Sequence, residues 1–487
     1  MNSWKSSINL SWRIGTGSYE ADEAFEQLHA LLMDYEDIVD EIAFFETITH
    51  HLYFPLDVFA KRTDILKRRI KVLKESGVQR VGINVLCTIG HINEGWDYMP
   101  PLPFQAMVGH DGSVSKGCGC PNSPELQDYI YGKYKLMAQA APDFIWVDDD
   151  IRMHNHGVAW GCFCPTCLDK FGQVTGKTWT REALVEAFNR PEEGEIRAAW
   201  VEQNASSLEN LMKVVKRAID DVDPKIVKGL MTAGPGWVTY SGQAIGRWLK
   251  ALDATKIRPG GGFYSDDMPL GMIHKSLECG RQLTGLDKKI DDRTYELENF
   301  PYSAFSKSVT SLINECTLAL VSGMNGIAMN AIGVHTPYLA EERKAILDAV
   351  RNARGYWEKI ADTAGDCNSA GLWPAWNIKI AAKRQVAEGE NWINTNSSDP
   401  YNFGKCEMLG EMGIPLSPDF SGDGAVLVGR MPEVFTDDEL KEMLSGGVFM
   451  DAAALKVLHS RGLGDLTGVR IARSVDNGVK ERFTDDP

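Results

Sequence analysis

A (β/α)8 barrel followed by a smaller Rossmann-like α/β domain is the fold that three observations in this sequence predict. Short β-branched or apolar runs alternate with long amphipathic segments from the N-terminus to about residue 335, the pattern of repeated βα units around a parallel sheet. Eight such runs occur in that span, the number that closes a barrel, although spacing by itself leaves an open doubly wound sheet as the alternative. Beyond Gly365 the repeat shortens, and 487 residues exceed what one hydrophobic core usually fills, so a second domain is expected over 366–487 after a barrel over 1–365.

The first run is INLSWRIG from Ile8. Phe25, Leu28, Leu32 and Tyr35 follow at helical spacing, which returns the chain across one face of the sheet. The second run, EIAFFET, carries Glu46 near its end. Phe59, Leu66, Ile70 and Leu73 then trace an apolar stripe, and Gly77 stands where a helix stop is expected. The remaining runs are RVGINVLC ending at Cys87, DFIWVDDD ending at Asp150, IVKGLMTA from Ile226, IRPGGGFY from Ile257, DRTYELEN from Asp292 and GIAMNAIG from Gly326. A helix is expected over Leu339–Ile360. The second unit begins near Trp373, with strands AVLVG from Ala425 and GVFMD from Gly447, each followed by a helical segment (DDELKEML, AAALKVLH). Neither a GxGxxG fingerprint nor a P-loop occurs in it.

Apolar residues make up 44% and charged residues 24%, the composition of a globular chain with a sizeable core. A formal charge of −16, with a pI near 5.2, repels phosphate backbones and anionic headgroups, and no lysine and arginine cluster offsets it, so nucleic acid and membrane are not expected partners. MNSWKSSINLSWRIG lacks the apolar core of a signal peptide and no run is long enough to span a bilayer, which points to a cytoplasmic protein. Ten cysteines are too dilute for a disulfide scaffold, yet three fall within six residues, which points to metal rather than oxidation.

In such barrels chemistry sits at the C-terminal ends of the strands. Two acidic clusters lie there: Asp148, Asp149 and Asp150 after the fourth strand, and Glu296 and Glu298 on the seventh. The two strands stand on opposite sides of an eight-stranded barrel, so their end carboxylates can face each other across a pocket. Cleavage of a glycosidic bond through a covalent intermediate needs such a pair, one nucleophile and one proton donor. Arg13, Glu46, Asn84, Trp237, Tyr264, Asp266 and Asn330 are further strand-end groups suited to a sugar's apolar face and hydroxyls. Glu296 shares the face of Glu298 but sits deeper, which suits binding or charge tuning, or a buried ion pair. Cys162, Cys164 and Cys167 put three thiols in one turn, a spacing that suits tetrahedral zinc with a fourth ligand from another loop, Cys118 or Cys120. His50, His51, His154 and His156 read more simply as hydrogen-bonding groups than as a second metal site.

Val147-Asp148-Asp149-Asp150-Ile151 resembles the strand-four segment of clan A glycoside hydrolases, especially the family 42 β-galactosidases, where an Asn-Glu pair closes the strand. The resemblance puts Asp149 at the asparagine position and Asp150 at the general acid/base position, both departures from the family's residue types. Glu298-Asn299-Phe300-Pro301 is similar to the Glu-x-x-Pro pattern of the family's nucleophile, which implies that role for Glu298. The family also holds zinc with one cysteine from the insertion after strand three and a Cys-x-Cys-x-x-Cys run, which implies a structural Zn2+ on Cys120, Cys162, Cys164 and Cys167. The segment Gly-Gly-Val-Phe-Met-Asp-Ala-Ala-Ala-Leu looks like the family's glutamine-amidotransferase-like trimerisation domain. With no cysteine at a nucleophile turn, it implies a catalytically silent assembly unit and a homotrimer. These families usually add a C-terminal β-sandwich, and none follows before Pro487. The activity implied is that of a retaining exo-β-glycosidase acting on galactosides or mannosides. The rivals are a barrel that binds carbohydrate without cleaving it and a metal-dependent hydrolase or isomerase that uses the strand-four aspartates as ligands.

Overall fold

The computed structural model describes residues 6–47, 49, 51–91, 100–148, 150–155, 157–234, 239–242, 244–299, 303–333, 338–364, 367, 369–393 and 404–473. Among the described residues ten strands lie before residue 335: β1 (Asn9–Ile14), β2 (Glu41–Phe45), β3 (Arg80–Val85), β4 (Ala106–Val108), β5 (Val114–Gly119), β6 (Phe144–Val147), β7 (Val227–Thr232), β8 (Lys256–Pro259), β9 (Asp292–Glu298) and β10 (Gly326–Asn330). All but β4 and β5 pair in parallel and close on themselves in the order β1-β10-β9-β8-β7-β6-β3-β2. The barrel therefore stands, and the open sheet is excluded. Amphipathic helices between the strands supply the outer ring: in Asp22–Asp34, for example, Phe25, Leu28 and Leu32 are buried.

Several runs stop earlier than the sequence suggests, β6 and β8 by three residues or more. The fourth barrel strand, β6, ends at Val147 rather than Asp150, and Asp150 instead accepts backbone N–H bonds from the loop after β3. β8 ends at Pro259, where proline has no N–H for the ladder and Gly262 turns at φ +82. The helix expected over Leu339–Ile360 spans Ala340–Ala364.

The inward face of the barrel is layered. At the N-terminal end Lys256 bonds Glu41 at 2.9 Å and also contacts Asp292, while Arg80 reaches Glu41 at 2.9 Å. Above lie the rings of Phe144 and Trp146, which fill the space left by Gly82 and Gly229. A Cβ on Gly82 would lie 2.3 Å from Phe144, and one on Gly229 2.4 Å from Trp146. The charged side chains of the upper layer stand on this aromatic floor. β4 and β5 form an antiparallel hairpin inserted after β3.

After the barrel, β11 (Trp373–Pro374), β12 (Ala425–Leu427) and β13 (Val448–Met450) make a small parallel sheet in that order. Its apolar core is its own, centred on Val426, Leu427, Leu440 and Leu458. A capping box between Thr436 and Glu439 starts the helix Asp437–Gly446. The boundary expected at 365 falls outside the described residues, as Gly365 and Asp366 do. Among the described residues no helix is long and apolar enough to cross a membrane.

Candidate active site at the C-terminal end of the barrel

Period-two alternation turns Arg13 on β1, Arg258 on β8, Glu296 and Glu298 on β9 and Asn330 on β10 toward one another. Arg13 Nη1 donates to Glu296 Oε1 at 3.3 Å and to Glu298 Oε1, and its guanidinium lies 4.8 Å over the ring of Phe45. Asn330 Nδ2 donates to the other oxygen of Glu298, Oε2, at 3.0 Å. Glu298 is thereby gripped from two neighbouring strands. Glu296 sits one step deeper, as the alternation predicts. Burial, reinforced by the charge of Glu298 and opposed by Arg13, pushes its carboxyl up to about 7. Its Oε2 has no hydrogen-bond partner among the described residues.

On the inward face of β8, Arg258 Nη2 donates to Asp148 Oδ1 at 2.5 Å and approaches the sulfur of Met231 at 3.1 Å. Its guanidinium stacks 4.9 Å from the Trp146 ring. Complete burial, and next the charge of Arg13, push this group down to about 10. Arg258 is a residue that the sequence analysis missed. The signal was present, since Lys256 and Arg258 are two cations at alternate positions of one barrel strand and must share its inward face.

Asp150 is placed differently. Its Oδ2 accepts three backbone N–H bonds, from Thr88 and Ile89 at 2.5 Å and Gly90 at 2.9 Å, and the residue is wholly buried. Burial pushes the carboxyl up to about 7, with the three N–H donors pulling it the other way. The geometry is that of an anchor for the loop after β3. Both oxygens of Glu46 are also engaged, Oε1 with Lys133 at 2.8 Å and Oε2 with the N–H of Leu86 at 2.8 Å. Asp266 ties two loops together by accepting from the N–H of Ser308 at 2.9 Å. Asn84, at the end of β3, is buried with both amide atoms unpartnered among the described residues. Tyr264 is 39% exposed on the loop after β8. Asp149 and Trp237 lie outside the described residues, as do Phe300 and Pro301 of the Glu-x-x-Pro segment.

The cysteines converge. Sγ atoms of Cys120, Cys162, Cys164 and Cys167 all lie within 4.8 Å of one another, and all four residues are buried. Cys118 is not among them, which decides the fourth member. The hairpin β4–β5 delivers Cys120, and the loop after β6 is stitched to that hairpin where Phe163 N–H donates to Val108 O at 2.8 Å. Cys120 and Cys167 are 3.4 Å apart, and Cys164 is 3.5 Å from Cys120. Four sulfurs about a tetrahedral zinc stand ~3.8 Å from one another, so the group fits a metal ion of that kind.

No protein-family model and no curated protein matches the chain. Solved structures do. A β-galactosidase from Rahnella sp. R3 aligns at 12% identity and a TM-score of 0.56 over 87% of this chain and 67% of its own. A GH42 β-galactosidase from G. stearothermophilus aligns at 11% identity and 0.61 over 93% and 73%. An α-L-fucosidase from Paenibacillus thiaminolyticus aligns at 16% and 0.55 over 91% and 63%. The chain thus spans about two thirds of the length of these proteins. With its closed eight-stranded parallel barrel, this chain has the fold on which the GH42 β-galactosidases are built.

Proposed function

We propose that the protein is a retaining exo-β-glycosidase that releases a galactose- or mannose-like sugar from the non-reducing end of a glycoside. The observation that carries the reading is the setting of Glu298, a strand-end carboxylate aimed into the barrel mouth and gripped by Arg13 and Asn330. In this reading Glu298 attacks the anomeric carbon, the aglycone oxygen takes a proton as it leaves, and water then hydrolyses the glycosyl ester. The strand-four acids supply the proton. Asp149 carries it, because Asp150 spends one oxygen on three N–H bonds of the loop at 88–90. Glu296, through its unpartnered Oε2, together with Asn84 and the exposed ring of Tyr264, offers contacts to the sugar, with Trp237 joining them. Glu46 and Asp266 serve the scaffold.

Zinc on Cys120, Cys162, Cys164 and Cys167 holds the two insertions together, and four thiolates leave no open position for substrate. The region after residue 365 serves assembly into a trimer. Ten cysteines without a disulfide suit a reducing, cytoplasmic setting.

A panel of nitrophenyl β-glycosides tests the activity and names the sugar. Wild-type protein that hydrolyses none of them, or Glu298→Ala protein that hydrolyses them as fast as wild type, overturns the reading.

A further inference from the structure

On the outer side of β9, between that strand and the helices Gly271–Leu283 and Val309–Val321, lies a buried cluster of two lysines and one glutamate. Lys275 Nζ donates to the carbonyl of Glu296 at 2.6 Å and to Glu315 Oε1 at 3.2 Å. Lys307 Nζ donates to the carbonyl of Glu298 at 2.8 Å, the carbonyl of Phe263 at 2.9 Å and Glu315 Oε2 at 2.5 Å. Tyr295 donates its hydroxyl to Glu315 Oε1 at 2.9 Å. All of these groups are buried.

Two ammonium groups against one carboxylate leave a net positive charge in a dry interior, which costs far more than apolar packing of the same volume. Packing alone does not explain the choice. What the lysines bind are the main-chain carbonyls of the two residues whose side chains form the carboxylate pair on the inward face. Lys307 also joins the end of β9 to the loop after β8 through Phe263. A peptide plane held in this way fixes the direction of its residue's Cα–Cβ bond, and both ammonium groups stand on the outer side of the strand that carries Glu296 and Glu298.

We infer that Lys307 and Lys275, bridged by Glu315, are positioning residues that aim the Glu298 carboxylate and hold it as an anion. The inference rests on the reading of Glu298 as nucleophile. Facing Glu298 and Glu296 from the other elements are Arg13 of β1, Arg258 of β8, paired with Asp148, and Asn330 of β10. None of these is altered in the test.

The experiment has two stages. Wild-type protein treated with a 2-deoxy-2-fluoro glycoside is expected to be labelled on Glu298. No label sinks the nucleophile reading and this inference with it. With the label seen, Lys307→Met is expected to lower kcat by about 10²-fold with KM changed only a few-fold, the signature of misaim rather than lost binding. Its acid limb of kcat/KM is expected to move to higher pH, because a charge favouring the carboxylate is gone. Glu315→Gln keeps the volume, adds net positive charge, and is expected to move the limb to lower pH. Lys307→Arg restores the charge and is expected to bring the limb back, even with turnover still low. Labelled wild type combined with shifts of one sign in Lys307→Met and Glu315→Gln, or with variants that melt earlier but keep the wild-type kcat and pH profile per folded molecule, overturns the inference alone.

Discussion

Glu298, Asp148 and Asp150 separate by what holds them. Glu298→Ala is expected to abolish turnover of every glycoside, because no glycosyl ester forms without it. Asp149→Ala is expected to slow natural disaccharides by about 10²- to 10⁴-fold while aryl glycosides of low leaving-group pKa still form the intermediate, and added azide then restores their turnover. The same azide rescue in Asp150→Ala, with none in Asp149→Ala, returns the donor role to Asp150. Glu296 brings a pH dependence whose sign is fixed. Its carboxyl, raised from the ordinary 4.5 to about 7, keeps a proton in the folded chain that the unfolded chain releases. Its contribution to stability is therefore full below about 4.5 and is lost as pH rises toward 7. Glu296→Gln removes that loss, so its stability relative to wild type is expected to improve across this window in denaturant titrations at stepped pH. A constant difference between the two proteins from pH 4.5 to 7 contradicts the assignment.

Single elements carry two further tests. Gly82 and Gly229 are the gaps into which Phe144 and Trp146 pack, with a Cβ at 2.3 and 2.4 Å from those rings. Gly82→Ala or Gly229→Ala is expected to cost about 1–3 kcal/mol by forcing a buried ring aside. A denaturation midpoint equal to that of wild type excludes this account of the barrel floor. The chain just past the hairpin β4–β5 and the loop after β6 meet at the four cysteines, and Asp150 holds the loop at 88–90. Metal analysis is expected to return about one zinc per chain, and Cys164→Ser to lower the melting temperature more than the turnover of protein that still folds. Zinc-free protein melting where the zinc-loaded protein does contradicts a structural metal. Sequence spacing found three of the four thiols outright. The choice between Cys118 and Cys120 had to wait, since both are buried and only the path of the chain just past β5 brings Cys120, rather than Cys118, to the other three thiols.

At the scale of the whole molecule the assembly proposal is tested by light scattering, where a mass of three chains is expected and a monomer at working concentrations rules the trimer out. The barrel itself was legible because eight apolar strand runs and their amphipathic returns are local patterns, written in periods of two and 3.6, and each must be buried on one side. The same periodicity placed Arg13, Glu296, Glu298 and Asn330 at strand ends. Strand ends, however, are set by competition between the ladder and the loops, which is why β6 stopped at Val147 and left Asp150 to accept three N–H bonds from a loop sixty residues earlier in the chain. The Asp148–Arg258 pair, Lys133 on Glu46 and the lysine clamp behind β9 are likewise contacts between distant segments. The sequence determined the fold and the inward-facing carboxylates, because hydrophobic periodicity is a property of each segment alone. Which carboxylate pairs with side chains of the barrel and which anchors a loop was decided only by the tertiary structure, because hydrogen-bond partners and desolvation depend on what the folded chain brings alongside.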